Sequence, residues 1–467
     1  MINKKIKYNV LPVLLCVLTV LSVFTGYSQV TVSAENLPAA GNDIKIHMNI
    51  EGLESAPDIT ADAAILLNTH TGDILYEKNS EKIVYPAANV KIMTAIIVLE
   101  NVYDLESEIE ISQSVINKSA GSALVLDPKV SVGEIFTVEN LLNAMLLWGA
   151  NDATLALAEY AAEDIPAFVD KMNAKALELG CSNTVFTNPT GIHSAEMHTT
   201  VSDMAKIMFY ASKIQKIMDI TSSNIYTIPP TNTERSARTK INRNHFVSKG
   251  TYSQYYYEYA RGMNYGSTAE AGDCLTTIAD QSALSYLCVL MGSKATRIPE
   301  SDSMRLNCFY DARSLFEWAF AMYSYKTVVS TKDKACSVEI RLSANRDNIT
   351  LVPDADISVL LPQNVDIERE ITTEIAIFED DLVAPVEKGQ QLGKLTVYYD
   401  GEVVGTARLL SNSDVEPSNI LYVLDQIKLI VSGGWFKASV IIFIIIFAFY
   451  VIVNLIRKSR KEQRRFY

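Results

Sequence analysis

From Ala438 to Ile456 the chain carries no charged residue. A helix over those positions is about 28 Å long, close to the hydrocarbon thickness of a bilayer. Such a run has two homes, a core that covers it on every side or a membrane, where a helix satisfies its own backbone. Arg457, Lys458, Arg460, Lys461, Arg464 and Arg465 follow at once. That cluster argues against a core helix and marks the cytoplasmic end of a span. The reading is a transmembrane helix over 435–456 and a basic cytoplasmic tail over 457–467, with the bulk of the chain on the other side. At the opposite end Lys4, Lys5 and Lys7 precede the apolar run Val10–Phe24 and the small-residue site Val32-Ser33-Ala34. This is the layout of a secretory signal, expected over 1–34.

The 467 residues between and including these ends fit two folded domains with accessory segments. The net charge of -13 excludes a general nucleic-acid binder. Beyond Cys16 the cysteines are Cys181, Cys274, Cys288, Cys308 and Cys336, scattered and without CxxC spacing. No zinc site is expected, nor any other metal or cofactor. Most of these thiols read as small buried apolar groups, with one disulfide left open. His47, His70, His198 and His245 are isolated in the sequence and are expected to be solvated or hydrogen-bonded.

Residues 35–57 read as a linker. Ala61–Ile83 reads as a hairpin turning at Thr71-Gly72-Asp73. A helix should occupy Asn89–Asn101, with Ile92, Ala95, Ile96 and Leu99 at helical spacing. Thr137–Glu163 reads as two helices broken at Gly149, the first capped by Thr137. Ile165–Gly180 and Val201–Ile214 are amphipathic helices, the former ended by Gly180 and the latter capped by Ser202 or Thr200. After about Tyr325 the pattern changes to short alternating runs, such as "ISVLLP", "EITTEIAIF" and "KLTVYYD". These predict a small all-β domain over 327–412. A linker over 413–434 follows, in which Ile420–Val431 is apolar on one side and suited to a membrane surface. The tyrosine-rich stretch Tyr252–Ala260 reads as the packed edge of a strand and its loop rather than a stacking platform.

The stretch "YPAANVKIMTA" carries the chemistry, together with "LLWGANDATLALAE" and "YARGMNYGSTAEAGDCL". It resembles the serine-type D-alanyl-D-alanine carboxypeptidases, the low-molecular-weight penicillin-binding proteins. That family builds its site from Ser-x-x-Lys, Ser-x-Asn and Lys-Thr-Gly. "AAILLNTHTGDILYEKN", "GSALVL", "NPTGIHSAEMHTTVSDMAKI", "NRNHF" and "APVEKGQQLGKLTVYYDGE" are similar to family segments in family order. The resemblance covers about 58–412. It implies an α/β domain of the β-lactamase and DD-peptidase type over 58–325, with helices packed around a sheet, ahead of the all-β domain.

The same comparison shows what this chain lacks. In the family's first motif serine is the nucleophile, and a lysine one helical turn later takes its proton. Here the serine position is Ala88 and the base position Lys91. In the second motif the serine position is Gly149, while Asn151 is kept. In the third, lysine and threonine are replaced by Asn264 and Tyr265, followed by Gly266 and Thr268. Removing the nucleophile of a hydrolase costs on the order of 10⁶ in rate. No Ser-x-x-Lys occurs elsewhere.

The expectation is therefore an exported, membrane-anchored member of the bacterial cell envelope without catalysis. It would bind peptidoglycan stem peptide or another wall enzyme through Lys91, Asn151, Tyr265, Thr268 and His193, with Tyr265 filling the old carboxylate pocket. His193 reads first as a structural loop residue. The alternative is an active carboxypeptidase with displaced chemistry. A third reading, a structural ectodomain, has the cleft closed over Tyr265.

Overall fold

The computed structural model describes residues 55–463 apart from 251, 300 and 380. The expected signal, His47 and most of the expected linker over 35–57 lie outside the described residues. The chain divides into two compact units, one ending at Met322 and one beginning at Tyr323.

In the first unit β1 (Ala63–Asn68) and β2 (Ile74–Lys78) form the expected antiparallel hairpin, with a register shift at Leu66/Leu67. All six residues of β1 are buried because the strand lies inside the sheet, so its sequence is continuously apolar up to Asn68 rather than alternating. A 3-10 turn over Ala87–Asn89 runs straight into α1 (Val90–Asn101). Every residue of α1 from Val90 to Leu99 is buried, Lys91 among them. The helix is nearly apolar all round, which places it in the centre of the unit.

α2 (Val138–Asn143) is capped by Thr137, whose hydroxyl accepts from the Asn140 amide. It widens into a π turn over Ala144–Trp148 and stops at Gly149, which has φ +79°. α3 (Asn151–Ala161) starts immediately afterwards. α4 (Ile165–Glu178) begins at the Asp164 cap and ends just before Gly180, at φ +74°. α5 (Val201–Ser212) is capped by Thr200, the second of the two expected candidates.

Three long strands then complete the sheet: β3 (Ala260–Thr268), β4 (Gly272–Gln281) and β5 (Leu284–Ser293). Its order is β2-β1-β5-β4-β3, antiparallel throughout, with β3 at one edge. α6 (Asn307–Met322) packs on β4 and β5. The tyrosine stretch reads partly as expected: Tyr255 and Tyr257 are buried against Phe309 and Phe316 of α6, while Tyr252 is exposed.

The second unit opens with β6 (Tyr323–Val329), so the boundary falls slightly ahead of the expected one. β7 (Cys336–Glu339), β8 (Asn348–Pro353), β9 (Ile357–Pro362), β10 (Ile371–Ile377), β11 (Gln391–Tyr399) and β12 (Glu402–Ser411) follow. They form a five-stranded sheet, β7-β8-β12-β11-β10, and a two-stranded one, β6-β9. Alternate residues of β11, namely Leu395, Val397 and Tyr399, are buried, as a sheet with one covered face requires. α7 (Asn419–Ser432) and α8 (Gly434–Gln463) end the described chain. Within α8 the segment Gly434–Arg457 is long and apolar enough to cross a membrane. All five cysteines of the described residues are free, and only Cys336 is not fully buried.

Candidate active site and its lost groups

β3 reaches the start of α1 through a glycine. A Cβ built on Gly266 would lie 2.5 Å from the Cβ of Ala88 and 2.7 Å from its nitrogen. Only a residue without a side chain allows the strand to come this close. Asn264, two residues earlier on the same face of β3, donates from Nδ2 to the Ala88 carbonyl at 2.6 Å. On the other side Gly191, at φ +77°, packs so tightly on the Ala87 carbonyl that a Cβ there would overlap it. Ala88 is thus clamped between strand and loop, 9% exposed, with a methyl group where the resemblance expects a hydroxyl.

Lys91 lies one turn further along α1 and is 1% exposed. Its amine donates to the Thr190 carbonyl, and Thr94 Oγ1 donates to the neighbouring Pro189 carbonyl at 2.7 Å. Together they tie the loop to the helix. Burial first, and then the positive charge of Arg243, lower the Lys91 pKa to about 7. The amine stays inside the unit rather than turning to solvent.

Arg243, within "NRNHF", is a further site residue that the motif spacing does not single out. Its neighbours Asn242 and Asn244 are buried and fix the loop, donating to the Thr221 and Gly262 carbonyls at 2.8 and 2.9 Å. Arg243 between them is half-buried. Its guanidinium lies 3.6 Å from the Cβ position of Gly149 and 5.9 Å from the centre of the Tyr265 ring. No ion pair joins Arg243 or Lys91 to a carboxylate among the described residues. The site therefore holds a guanidinium and a buried amine, neither paired with a carboxylate among the described residues.

Asn151 opens α3 beside them. Its Nδ2 donates to Ser122 Oγ at 2.7 Å, while its Oδ1 is buried without a partner among the described residues. Ser122 comes from "GSALVL" and was also unforeseen; a lone serine in a loop carries no sequence signal. Both amide atoms of Asn89, beside Ala88, are likewise buried and unpartnered.

The structure separates the remaining candidates. Tyr265 does not fill a pocket at Ala88. Alternation along β3 turns it to the opposite face from Asn264. There its hydroxyl donates to Asp273 at 2.9 Å and its ring packs on Phe309 at 5.4 Å. Tyr265 therefore does not cover Ala88. His193 and Thr268 meet elsewhere, at a hollow of about 10 Å³ shared with Tyr85, Ala87, Gly191 and Met197. That is room for about one water. The His193 ring stands edge-on to Tyr85 at 4.8 Å, and Thr268 Oγ1 caps the Ala271 amide, so both act in the loop's own structure. His245 is not a solvated histidine: it sits among Tyr252, Tyr265 and Phe309, where burial and then Arg243 push its pKa down to about 4. His70 is exposed, and His198 bonds to the Glu196 carbonyl.

Known proteins match both units of the chain. The profile of the family described as D-alanyl-D-alanine carboxypeptidase matches residues 51–295, and that of the penicillin-binding protein 5 C-terminal domain matches 323–417. The chain is 28% identical over 382 residues to the D-alanyl-D-alanine carboxypeptidase DacF of Bacillus subtilis, covering 81% of this chain and 90% of that one. Among solved structures, penicillin-binding protein 5 of Haemophilus influenzae superposes with a TM-score of 0.57 at 23% identity, over 78% of this chain and 99% of that one. The DD-transpeptidase of Streptomyces K15 superposes with a TM-score of 0.51 at 27% identity, over 58% of this chain and all of that one.

Proposed function

The chain belongs to the D-alanyl-D-alanine carboxypeptidase family, and from that premise we propose that this member binds wall peptide without hydrolysing it. The observation that carries the reading is the environment of Ala88. A methyl group occupies the nucleophile position, and the amine that should take a serine's proton is bonded to the Thr190 carbonyl instead. No acyl-enzyme can form on a methyl carbon. Fold membership by itself supplies no chemistry without the site.

Binding is a different matter. Arg243 offers a guanidinium without a carboxylate partner, and a carboxylate brought to a half-buried guanidinium makes the stronger, charge-assisted kind of hydrogen bond. Asn151 Oδ1 is a buried acceptor without a partner among the described residues, behind that guanidinium's loop. These groups suit the end of a stem peptide, or the acidic surface of a wall enzyme that the protein would position. The reading places the protein in the cell membrane by Gly434–Arg457, both folded units outside and the basic tail inside, with a cleaved signal at the N-terminus. It requires no metal or cofactor.

One observation favours the alternative, an active carboxypeptidase with displaced chemistry: the Ser122 hydroxyl beside Asn151. Its hydrogen bonds run to Asn151 and to the backbone at Leu124, with no base among them. The test is fluorescent penicillin offered to the detergent-solubilised full chain and scored after denaturation, beside Ala88→Ser and Ser122→Ala. Binding without hydrolysis predicts no covalent label on the natural protein. A denaturation-stable label on it that vanishes in Ser122→Ala would overturn that reading in favour of the alternative.

A further inference from the structure

β10 is an outer strand of the five-stranded sheet, and it is open on both faces, with no fully buried residue. It pairs with β11 from Ile371↔Tyr399 to Ile377↔Gly393 without a register shift. The ladder continues to Phe378, whose amide donates to the Leu392 carbonyl at 3.0 Å. In an antiparallel pair, alternate residues turn both backbone groups to the neighbour and those between turn them away. Phe378 fixes the parity. Thr372, Glu374 and Ala376 bond to β11, while Thr373, Ile375 and Ile377 present N–H and C=O at the open edge. Among the described residues nothing bonds to those outward groups.

Such a row is a template for another strand, and native sheets blunt it with lysine, proline or a bulge. The β10 sequence ITTEIAI carries neither residue, and its pairing shows no bulge. The two faces of the strand say what fits beside it. On one face Thr373, Ile375 and Ile377 lie next to Val397, Leu395 and Gly393, extending the row in which Leu395 and Val397 are buried. Ile375 is still 36% exposed, so the apolar row runs past its cover. On the other face Ala376 lies next to Lys394, and Lys394 next to Arg408 of β12. Arg408 is paired with Asp354, whereas Lys394 has no ion pair among the described residues. Glu374 accepts from the Tyr398 hydroxyl at 2.7 Å and likewise meets no cation there.

A second copy of β10 supplies what both faces lack. Antiparallel and centred on Ile375, it sets Ile375 against the partner's Ile375, Thr373 against the partner's Ile377, and Glu374 against the partner's Ala376. The outward residues then exchange about six backbone hydrogen bonds. The partner's Glu374 lies two strand spacings from Lys394, about 10 Å, across the small Ala376, and two long side chains span that gap. By symmetry the pair forms twice. Centring on Glu374 instead would serve the backbone equally, but it sets Glu374 directly against the partner's Glu374, and like charges so placed repel.

We propose that the second unit pairs with a second copy of itself through β10, antiparallel and centred on Ile375, with Lys394 of each copy facing the partner's Glu374 across Ala376. The pairing involves no group of the cleft. A strand edge of seven residues is far smaller than a permanent interface, so the dimer is a weak one, with a dissociation constant of about 1–100 µM.

The experiment uses the detergent-solubilised full chain, followed by sedimentation velocity from about 1 to 100 µM. The natural chain should pass from monomer to dimer over that range. Ile375→Pro removes an outward N–H and leaves the ladder to β11 intact, as an edge position allows, and should weaken the dimer at least about tenfold. Glu374→Lys and Lys394→Glu should each weaken it about threefold to tenfold, and the double exchange should return it to within about twofold of the natural chain. Copper–phenanthroline oxidation should give a covalent dimer in Ile375→Cys, above the background of the natural chain, because facing residues lie about 5.5 Å apart. Glu374→Cys should give none. A natural chain that stays monomeric to about 100 µM overturns the proposal and leaves the edge to a strand of another protein. A dimer indifferent to Ile375→Pro overturns it in favour of another surface. Cross-linking through Glu374→Cys but not Ile375→Cys, or no recovery in the double exchange, overturns the register.

Discussion

Replacing Lys91 by methionine should change stability in a way that depends on pH, and the size follows from the site. The amine has an ordinary pKa of 10.5 and a folded pKa of about 7, because it is buried beside Arg243. Between those values the unfolded chain holds a proton that the folded protein does not. Stability of the natural protein therefore rises with pH through that window, and below pH 7 the full cost of a buried ammonium is felt. At 1.36 kcal/mol per pH unit the whole gap is roughly 5 kcal/mol, of which roughly 3 kcal/mol is traversed between pH 6 and pH 9. Lys91→Met carries no such dependence, and its lost bond to the Thr190 carbonyl is the same at every pH. Other groups titrate alike in both proteins and cancel in the difference. Urea unfolding of the two, followed by a probe in the first unit at pH 6, 7.5 and 9, should show the natural protein gaining roughly 3 kcal/mol relative to Lys91→Met. A difference that stays flat, or that shrinks as pH rises, would refute the assignment of a neutralised buried amine and require a carboxylate or water partner for it.

The same amine bears on restored chemistry. If Ala88→Ser regains acylation by penicillin, the rate should rise with pH through about 7 as Lys91 loses its proton and becomes able to act as base, and stopped-time labelling across pH 6–8.5 measures this. Gly266→Ala should lose about 1–3 kcal/mol by overpacking against Ala88, and Ala88→Gly in the same chain should recover part of it in a double-mutant cycle. Glu134→Gln should lose about 3–5 kcal/mol, read by denaturant unfolding, because it strands the fully buried Arg238 guanidinium that Glu134 now meets at 2.8 Å. A loss below about 1 kcal/mol there would mean that the Pro128 carbonyl and Phe136 ring already satisfy Arg238.

Much of the scaffold was legible because it is written in local terms. Thr137 and Thr200 cap helices through their own hydroxyls. Gly149 and Gly180 end helices by adopting backbone that other residues resist. The hairpin at Thr71-Gly72-Asp73 and the alternating strands after Tyr325 obey short-range periodicities. The strands β4 and β5 were not foreseen, since "GDCLTTIADQ" and "LSYLCVLMGS" are buried on both faces and show no alternation. α6 was missed as well. At the site, Asn264 and Tyr265 look interchangeable in sequence as replacements in one motif. The parity of β3 separates them, sending one amide to Ala88 and one phenol to Asp273.

What the sequence determined alone is covalent: position 88 has no hydroxyl, position 264 no ammonium, and residues 438–456 no charge, whatever the fold does with them. What only the tertiary structure decided is proximity. Lys91 has a depressed pKa because distant segments bury it and because Arg243 arrives from 152 positions away. Arg243 is a site residue because buried asparagines on either side leave it facing Gly149 and Tyr265. Asp425 of α7 is held because Arg341 arrives from 84 positions away. Chemical identity is local and survives any folding, whereas electrostatics and access depend on which distant segments come within a few ångströms, and no reading of neighbours along the chain supplies that.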